Sequence, residues 1–179
     1  NLSESQMEEI LKTYQTLEYV SKLNKSLLLL SKIDNSQFVE TSEICINEVL
    51  HRYLEDYQEV YDYRSIQLTL EEKGEFRIGM NEVLAVVLVT NLLKNAFVHN
   101  VDKGIIRIEI TPESFCFQNT GGDEALDEKR IFERFYQGAK KKEGSTGLGL
   151  AIVHAVCRQY HLNISYRFLD NRHCFEIYR

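Results

Sequence analysis

The first thirty residues contain neither glycine nor proline, and this unbroken segment limits the possible folds more than any other feature. Apolar residues recur there every three or four positions, at Met7, Ile10, Tyr14, Leu17, Val20, Leu23, Leu27 and Leu30. This spacing predicts one long amphipathic helix. It follows a heptad repeat with a three-residue stammer after Leu17, which favours packing against partner helices. A helix folded back on its own domain fits the periodicity equally well.

Polar turn-forming residues at 31–36 interrupt the helical pattern. We place a domain boundary there, between a helical segment over residues 1–34 and a larger domain over residues 37–179. Residues 37–40 are predicted to form a short strand that leads into the larger domain.

Helical and strand-like periodicities alternate along the larger domain. Helices are predicted over residues 42–63, 82–99 and 148–159, with Asn81 as the N-cap of the second. Strands are predicted over residues 65–71, 74–78, 105–110, 115–117, 163–168 and 173–178. These elements predict an α+β fold: a two-layer α/β sandwich whose mixed, mostly antiparallel sheet is covered on one face by helices.

Composition excludes several classes of function. The 179 residues, 44% of them hydrophobic, suffice for one domain with a core plus an appended element. A net charge of -6 offers no broad basic surface, so we expect no binding to nucleic acid. The four cysteines are widely spaced without a C-x-x-C pair, which indicates reduced packing residues rather than a zinc site or disulfide framework.

No apolar run approaches the roughly 20 residues that span a bilayer. We therefore expect the chain to be cytoplasmic, with any inner-membrane anchor of the intact protein in segments outside it. The start lacks both an initiator methionine and a basic region, so we interpret the chain as a fragment of a longer protein.

Glycines concentrate in one part of the sequence. Six of the nine lie between residues 121 and 149: Gly121, Gly122, Gly138, Gly144, Gly147 and Gly149. The segment 144–150 opens a predicted helix, so its exposed N–H groups and the helix dipole can hold a phosphate. A glycine-rich surface loop without a ligand is the alternative.

A polar stripe follows one face of the predicted helix over residues 82–99. Asn91, Asn95 and His99 are spaced at i, i+4 and i+8, with apolar residues between them. Amides that are buried need partners, and nucleotide phosphates with Mg²⁺ would provide them. A solvated helix face is the alternative.

Four motifs follow one another in the order in which one protein family carries them. They are an N box at 91–95, a G1-like segment at 118–122, an F box at 131–136 and a G2 box at 147–150. From about Ser21 to the end, the chain resembles the catalytic domain of two-component sensor histidine kinases. These belong to a wider group of ATPases that includes Hsp90, DNA gyrase B and MutL. The resemblance implies the Bergerat-type ATP-binding fold, preceded here by one long helix.

The resemblance also implies a site for ATP and Mg²⁺. Asn95 would bind the metal and, with Asn91, form the catalytic centre, while Asn119 would contact adenine. Residues 137–146 would form a lid. The further nucleotide-binding positions implied are His99, Gly121, Phe132, Phe135, Tyr136, Thr146, Gly147, Leu148, Gly149 and Leu150.

Several partners follow from the same resemblance. The first helix resembles the second dimerisation helix of these kinases, which implies a homodimer of the intact protein. The γ-phosphoryl group would pass to a histidine and then to the receiver domain of a response regulator. None of the five histidines has the following acidic residue and nearby proline typical of the acceptor. We therefore expect the acceptor upstream of Asn1.

The first N-box position distinguishes kinases from hydrolases. Hsp90-like and MutL-like enzymes carry a glutamate there that activates water, whereas this chain has Asn91. Without that base, ATP should be held without rapid hydrolysis, which suits a kinase. A free-standing ATPase or chaperone is therefore disfavoured.

Some positions depart from the family's pattern. Asn119 replaces the usual G1 aspartate, and Asp123 stands where the second G1 glycine would be. Val98 and Gln137 replace a common lysine and arginine, for which Arg134, His99 or the run at 140–142 could substitute. These departures predict weaker nucleotide binding. They also leave a second hypothesis open: a degenerate catalytic domain that serves as a protein–protein signalling module.

Overall fold

A computed structural model describes residues 3–122, 124–138 and 144–179. Helices in these residues are α1 (Glu4–Asp34), α2 (Ile46–Val60), α3 (Glu82–Val98) and α4 (Gly149–Gln159), with a 3₁₀ turn at Asp62–Arg64. Strands are β1 (Ser42–Cys45), β2 (Gln67–Glu72), β3 (Arg77–Met80), β4 (Ile105–Ile110), β5 (Ser114–Thr120), β6 (Asn163–Leu169) and β7 (Arg172–Tyr178). No helix in the described segments is long and apolar enough to cross a lipid bilayer.

The main sheet has five strands in the order β2-β4-β5-β7-β6. Strands β2 and β4 run parallel, and each of the other neighbouring pairs is antiparallel. Alternate residues of the strands point to one face, where Ile106, Ile108, Phe115 and Phe117 are buried in the core. The predicted α+β sandwich with a mixed, mostly antiparallel sheet is thus confirmed.

Helix α3 forms the centre of the core between the sheet and the other helices. It is apolar nearly all round, and Leu84, Leu88 and Leu92 are fully buried. As predicted, Asn81 caps its start, where Oδ1 accepts from the backbone N–H of Val83 at 3.0 Å. The N-box residues therefore lie on a rigid, buried helix.

Helix α1 packs on the domain only near its C-terminal end. Leu30 and Ile33 are buried, and this end of the helix contacts α4. Further towards its start, Met7, Ile10 and Leu17 are each more than half exposed. The fold-back alternative thus applies to the last turns of α1, whereas the rest of its apolar stripe is uncovered in the single chain.

The predicted strand at 37–40 is wrong, and so is the helix start at 42. Residues 42–45 instead form β1, which pairs with β3 in a separate two-stranded sheet. The apolar residues Ile44 and Ile46 fit a strand as well as a helix. Residues 42–45 form a strand because they pair with β3, which lies more than 30 residues further along the chain. The ends of the other predicted elements shift by at most three residues.

Candidate nucleotide-binding site

Asn91 lies against the first residue of α4. Its Nδ2 donates to the carbonyl oxygen of Val87 at 2.8 Å, which fixes the orientation of the amide. A Cβ built on Gly149 would lie 3.0 Å from Asn91 Oδ1, so the backbone at the start of α4 approaches this amide closely. The N box and the G2 box therefore form one continuous surface.

Asn95 and His99 follow on the next turns of α3. Asn95 is half-buried, and among the described residues its side-chain amide has no hydrogen-bond partner. The backbone N–H of His99 donates to Asn95 O at 3.1 Å and ends the helix, while the His99 side chain is exposed. Asn95 thus has a side-chain oxygen available for a ligand, one turn of α3 after Asn91.

The F box and the G2 box are joined through their backbones. The N–H of Phe135 donates to the carbonyl oxygen of Gly147 at 2.9 Å. Both residues have left-handed φ angles, +66° and +67°. A Cβ on Gly147 would lie 2.9 Å from the Phe135 carbonyl carbon and 2.9 Å from Tyr136 O, so only glycine fits here. Left-handed φ in a bulky residue such as Phe135 is strained and concentrates at functional sites.

The aromatic side chains of the F box serve different purposes. Tyr136 accepts from the backbone N–H of Asp127 at 3.1 Å through its hydroxyl, and it lies under the Arg130 guanidinium. Phe132 packs on the ring of His154 at 5.5 Å. Phe135 is 56% exposed. Two of the three rings thus anchor the segment, and the third faces solvent.

The remaining G2 positions lie at the start of α4. Leu148 is fully buried and fixes the loop in the core, whereas Thr146 and Leu150 are half-buried. Gln137, at the position of the common arginine, donates from Nε2 to Ser145 O at 2.7 Å. The predicted lid is therefore tied at its two ends by this amide. Asp123 and residues 139–143, including the lysine run, lie outside the described residues.

Asn119 lies near the end of β5 with a buried, unpaired acceptor. The residue is 1% exposed, and its Nδ2 donates to Thr120 O at 2.8 Å. Its Oδ1 has no hydrogen-bond partner among the described residues. Buried polar atoms are rarely left without a partner, so this oxygen indicates a missing donor.

His173 was not among the residues that the sequence indicated. It stands directly opposite Asn119 in the β5–β7 register, and its Nδ1 contacts the Tyr166 hydroxyl at 2.8 Å. Burial lowers the pKa of His173. A Cβ on Gly121 would lie 2.4 Å from the His173 ring, so this ring requires a glycine in the G1 segment. Only the strand pairing could have revealed the contact.

A buried polar junction joins the end of α3 to the end of β5. Asn100 is 3% exposed, and its Oδ1 accepts from the Thr120 hydroxyl at 2.5 Å and from the Val101 N–H at 2.9 Å. A Cβ on Gly104 would overlap both side chains. The junction holds the N-box helix beside the strand that carries Asn119. In the sequence, the one feature that indicates this junction is the turn that ends at Gly104.

Arg134 was predicted as one of the candidates to replace a missing cationic phosphate contact. In the structure its guanidinium pairs with Asp34 at 2.5 Å, and Arg158 of α4 pairs with the other oxygen of the same carboxylate at 2.8 Å. Asp34 is the last residue of α1. The F box is thus connected directly to the end of the long helix.

The sequence over residues 80–176 matches the family model described as histidine kinase-, DNA gyrase B-, and HSP90-like ATPase, which covers more than half of the chain. The chain belongs to this ATPase family. Membership confirms the resemblance and makes this an ATP-binding domain. All four motif segments lie within the matched residues.

Curated relatives of this family member are sensor proteins. It is 28% identical over 171 residues to the heme sensor protein HssS of Staphylococcus saprophyticus, covering 92% of this chain and 36% of the relative. It is 32% identical over 147 residues to the sensor histidine kinase RppB of Synechocystis, covering 76% and 32%. The chain therefore spans about a third of the length of the curated relatives it matches.

Solved structures extend the likeness to the whole fold, α1 included. The histidine kinase ThkA in complex with the response regulator TrrA superposes with a TM-score of 0.74 at 20% identity. That match covers 99% of this chain and 52% of ThkA. A long helix followed by this sandwich is thus an arrangement that a known histidine kinase also has.

Proposed function

We propose that this chain is the catalytic, ATP-binding region of a two-component sensor histidine kinase. It would hold Mg-ATP and deliver the γ-phosphoryl group to a histidine outside these 179 residues, for relay to an aspartate of a response regulator. The observation that carries the proposal is the close approach of Asn91 to Gly149. It brings the N box and the G2 box together, and the phosphates would bind between them.

Adenine would bind at the end of β5. The unpaired Oδ1 of Asn119 can accept a hydrogen bond from the exocyclic N6–H of adenine, which would satisfy the buried atom. As a neutral amide, Asn119 makes a weaker bond than the usual carboxylate would. Because Nδ2 already donates to Thr120 O, the amide is held in the orientation that presents its oxygen.

Phosphates would lie beside the start of α4. The left-handed backbone at Gly147 and the free N–H groups of the first helical turn suit an anion. Asn95 supplies an amide oxygen, a ligand type that Mg²⁺ accepts together with phosphate oxygens and water. When bound, Mg²⁺ would neutralise phosphate charge during transfer. Phe135 would cover the nucleotide from the solvent side and exclude water.

The site would transfer rather than hydrolyse. An amide cannot act as a general base, so Asn91 would position the phosphates without activating water. Its own amide is fixed by Val87 O, which limits it to this positioning role. The bound ATP would therefore persist until an acceptor histidine reaches it.

Residues 1–34 would be the second dimerisation helix of the intact kinase, and residues 37–179 its catalytic domain. The uncovered apolar stripe of α1 supports a homodimer through this helix. The ThkA–TrrA complex supports a response regulator as a further partner. We propose a cytoplasmic position for this region, with any membrane anchor outside it.

Calorimetry with a non-hydrolysable ATP analogue tests the proposal. We expect Mg²⁺-dependent binding that Asn95→Ala abolishes. Asn24→Ala, which removes an exposed asparagine of α1, should bind as the unmodified chain does. Loss of Mg²⁺-dependent binding in Asn95→Ala alone would support Asn95 as the metal ligand. Equal Mg²⁺-dependent binding by the unmodified chain and both variants would refute that assignment.

A degenerate signalling module remains the second candidate because Asn119 replaces the usual carboxylate, and Val98 and Gln137 replace two cationic residues. Gln137 donates to Ser145 O, and Arg134, one possible substitute for the missing cations, is paired with Asp34. Absence of binding by the folded chain at millimolar analogue would favour this function. Multiple-turnover hydrolysis of ATP would instead favour an ATPase.

A further inference from the structure

Cys116 and Cys174 bring their sulfur atoms together on the central strands of the main sheet. Their Sγ atoms are 2.9 Å apart, although 58 positions separate the two residues in the chain. They occupy diagonal positions of the β5–β7 pair, where Cys116 is opposite Glu176 and Cys174 is opposite Gln118. Neither thiol is in a disulfide, and both residues are buried, with Cys116 8% and Cys174 6% exposed.

The pair lies on the sheet face opposite the helical core. Alternation along β5 turns Phe115 and Phe117 towards the core and therefore Cys116 away from it. The neighbouring side chains on this outer face are polar, and Gln118 Nε2 lies 3.8 Å from Cys116 Sγ. The thiols are thus separate from the nucleotide site, which faces the helices.

We propose that Cys116 and Cys174 form a reversible thiol–disulfide site, which small disulfides such as oxidised glutathione convert to an intramolecular bond. The contact between the two sulfur atoms carries this proposal. Of the remaining thiols, Cys45 lies on β1 and Cys157 on α4, and both are buried in other parts of the domain.

The surroundings assign different roles to the two thiols. A hydrogen bond from Cys116 and the nearby Arg167 guanidinium lower the pKa of Cys174. The same contact and burial raise the pKa of Cys116. Cys174 is therefore the thiol that is more readily present as the nucleophilic thiolate.

The exchange proceeds in two balanced steps. The Cys174 thiolate attacks one sulfur of oxidised glutathione, forms a mixed disulfide and expels one glutathione thiolate. Cys116 then loses its proton, attacks Cys174 Sγ and expels the second glutathione thiolate. Overall, the two protein thiols lose two protons and two electrons, and one oxidised glutathione becomes two reduced molecules.

A shallow depression of about 530 Å³ lies beside the pair on the same sheet face, and neither cysteine is part of its lining. The lining includes Arg167 and Glu176, which stand directly opposite Cys174 and Cys116. A small disulfide would approach the pair from this depression. Arg167 pairs there with Glu176 at 2.6 Å. Residues at diagonal positions of two strands lie further apart than residues directly opposite each other. A disulfide between Cys116 and Cys174 must therefore draw β5 and β7 together. Such a bond should be readily reversed by a thiol reductant.

Peptide mapping of the folded chain tests this proposal. Trypsin separates the four cysteines into the peptides 33–52, 108–129, 143–158 and 173–179. After treatment of the folded chain with oxidised glutathione and alkylation in denaturant, we expect a linked pair of 108–129 and 173–179, with the other two peptides alkylated. Dithiothreitol should restore four alkylated peptides. Four alkylated peptides before reduction, or a link to Cys45 or Cys157, would overturn the proposal.

Matched variants distinguish the roles of the two thiols. Cys116→Ser should stop at the mixed disulfide, so peptide 173–179 should carry glutathione. Cys174→Ser should leave peptide 108–129 alkylated, because Cys116 alone reacts poorly. Glutathione on Cys116 rather than Cys174 would overturn the assigned order of attack. The double variant Cys45→Ser, Cys157→Ser should still form the linked pair.

Discussion

The backbone amide of Phe135 donates to the carbonyl oxygen of Gly147 at 2.9 Å, and both residues adopt left-handed φ angles. This bond joins the F box to the G2 loop. The shape of the G2 loop therefore depends on Phe135, which precedes the loop in the chain by the whole segment 137–146. Substitutions on either side of the bond should alter nucleotide binding.

Gly147→Ala should weaken binding of an ATP analogue at least about tenfold and destabilise the fold by about 1–2 kcal/mol. A Cβ would strain the left-handed backbone and press on Phe135. Calorimetry and urea denaturation measure the two effects. Gly79→Ala is the control, because a Cβ there meets nothing within 4 Å. Unchanged affinity in Gly147→Ala would argue against a role for this backbone in holding phosphates.

Asp34→Asn should lower the free energy of unfolding by about 0.5–1 kcal/mol. It removes the charge that Arg134 and Arg158 share, and the exposure of both arginines keeps the effect small. Glu8→Gln breaks the more exposed pair with Lys12 and should cost less. Urea denaturation at matched pH compares them. Equal stability of Asp34→Asn and the unmodified chain would mean that this link contributes nothing.

Gly121→Ala should destabilise the protein by about 1–3 kcal/mol, because its Cβ would overlap the His173 ring. His173→Ala removes the ring and should recover part of that loss when the two substitutions are combined. A double-mutant cycle from thermal or urea denaturation gives the coupling. Purely additive effects would indicate that the two residues do not touch in solution.

Stability should fall as the pH is lowered from about 7.5 to 5.5. Burial lowers the pKa of His173, so the unfolded chain binds a proton more readily than the folded one. The stability is therefore complete above the ordinary histidine pKa of about 6.5 and is lost as the pH falls through that value towards the lowered pKa. Urea midpoints at several pH values follow this loss.

His173→Gln should reduce the pH dependence without abolishing it. His154 remains, and burial followed by the charge of Arg158 lowers its pKa in the same direction. His161→Gln, at an exposed position, provides the control and should leave the dependence as it is. If His173→Gln loses stability with falling pH as steeply as the unmodified chain, His173 is not responsible.

Much of the fold could be predicted from local periodicity. Helix α3 and strands β4 and β5 were expected within three residues of their ends, because burial on one side imposes a period of 3.6 or 2. Strand β1 was missed for a physical reason: its four residues, with Ile44 as the one large apolar side chain before Cys45, form too short a pattern. Its identity depends on pairing with β3, which no local signal reveals.

For the candidate site, the sequence indicated the segments but not their partners. Asn91, Asn119 and Gly147 could be named because ordered motifs and glycines mark places where backbone approaches a ligand. His173 could not, since its importance comes from standing opposite Asn119. Arg134 was assigned to phosphate as one alternative, but its partner Asp34 belongs to another element altogether.

By itself, then, the sequence determined the α+β sandwich, the family and the position of each motif, because these depend on periodicity and on the order of residues along the chain. Tertiary structure alone decided the β1–β3 pair, the Asp34 link, the ring behind Gly121 and the contact of Cys116 with Cys174. Each of these joins residues far apart in the chain. Their meeting follows from strand register and helix packing, which local propensities do not encode.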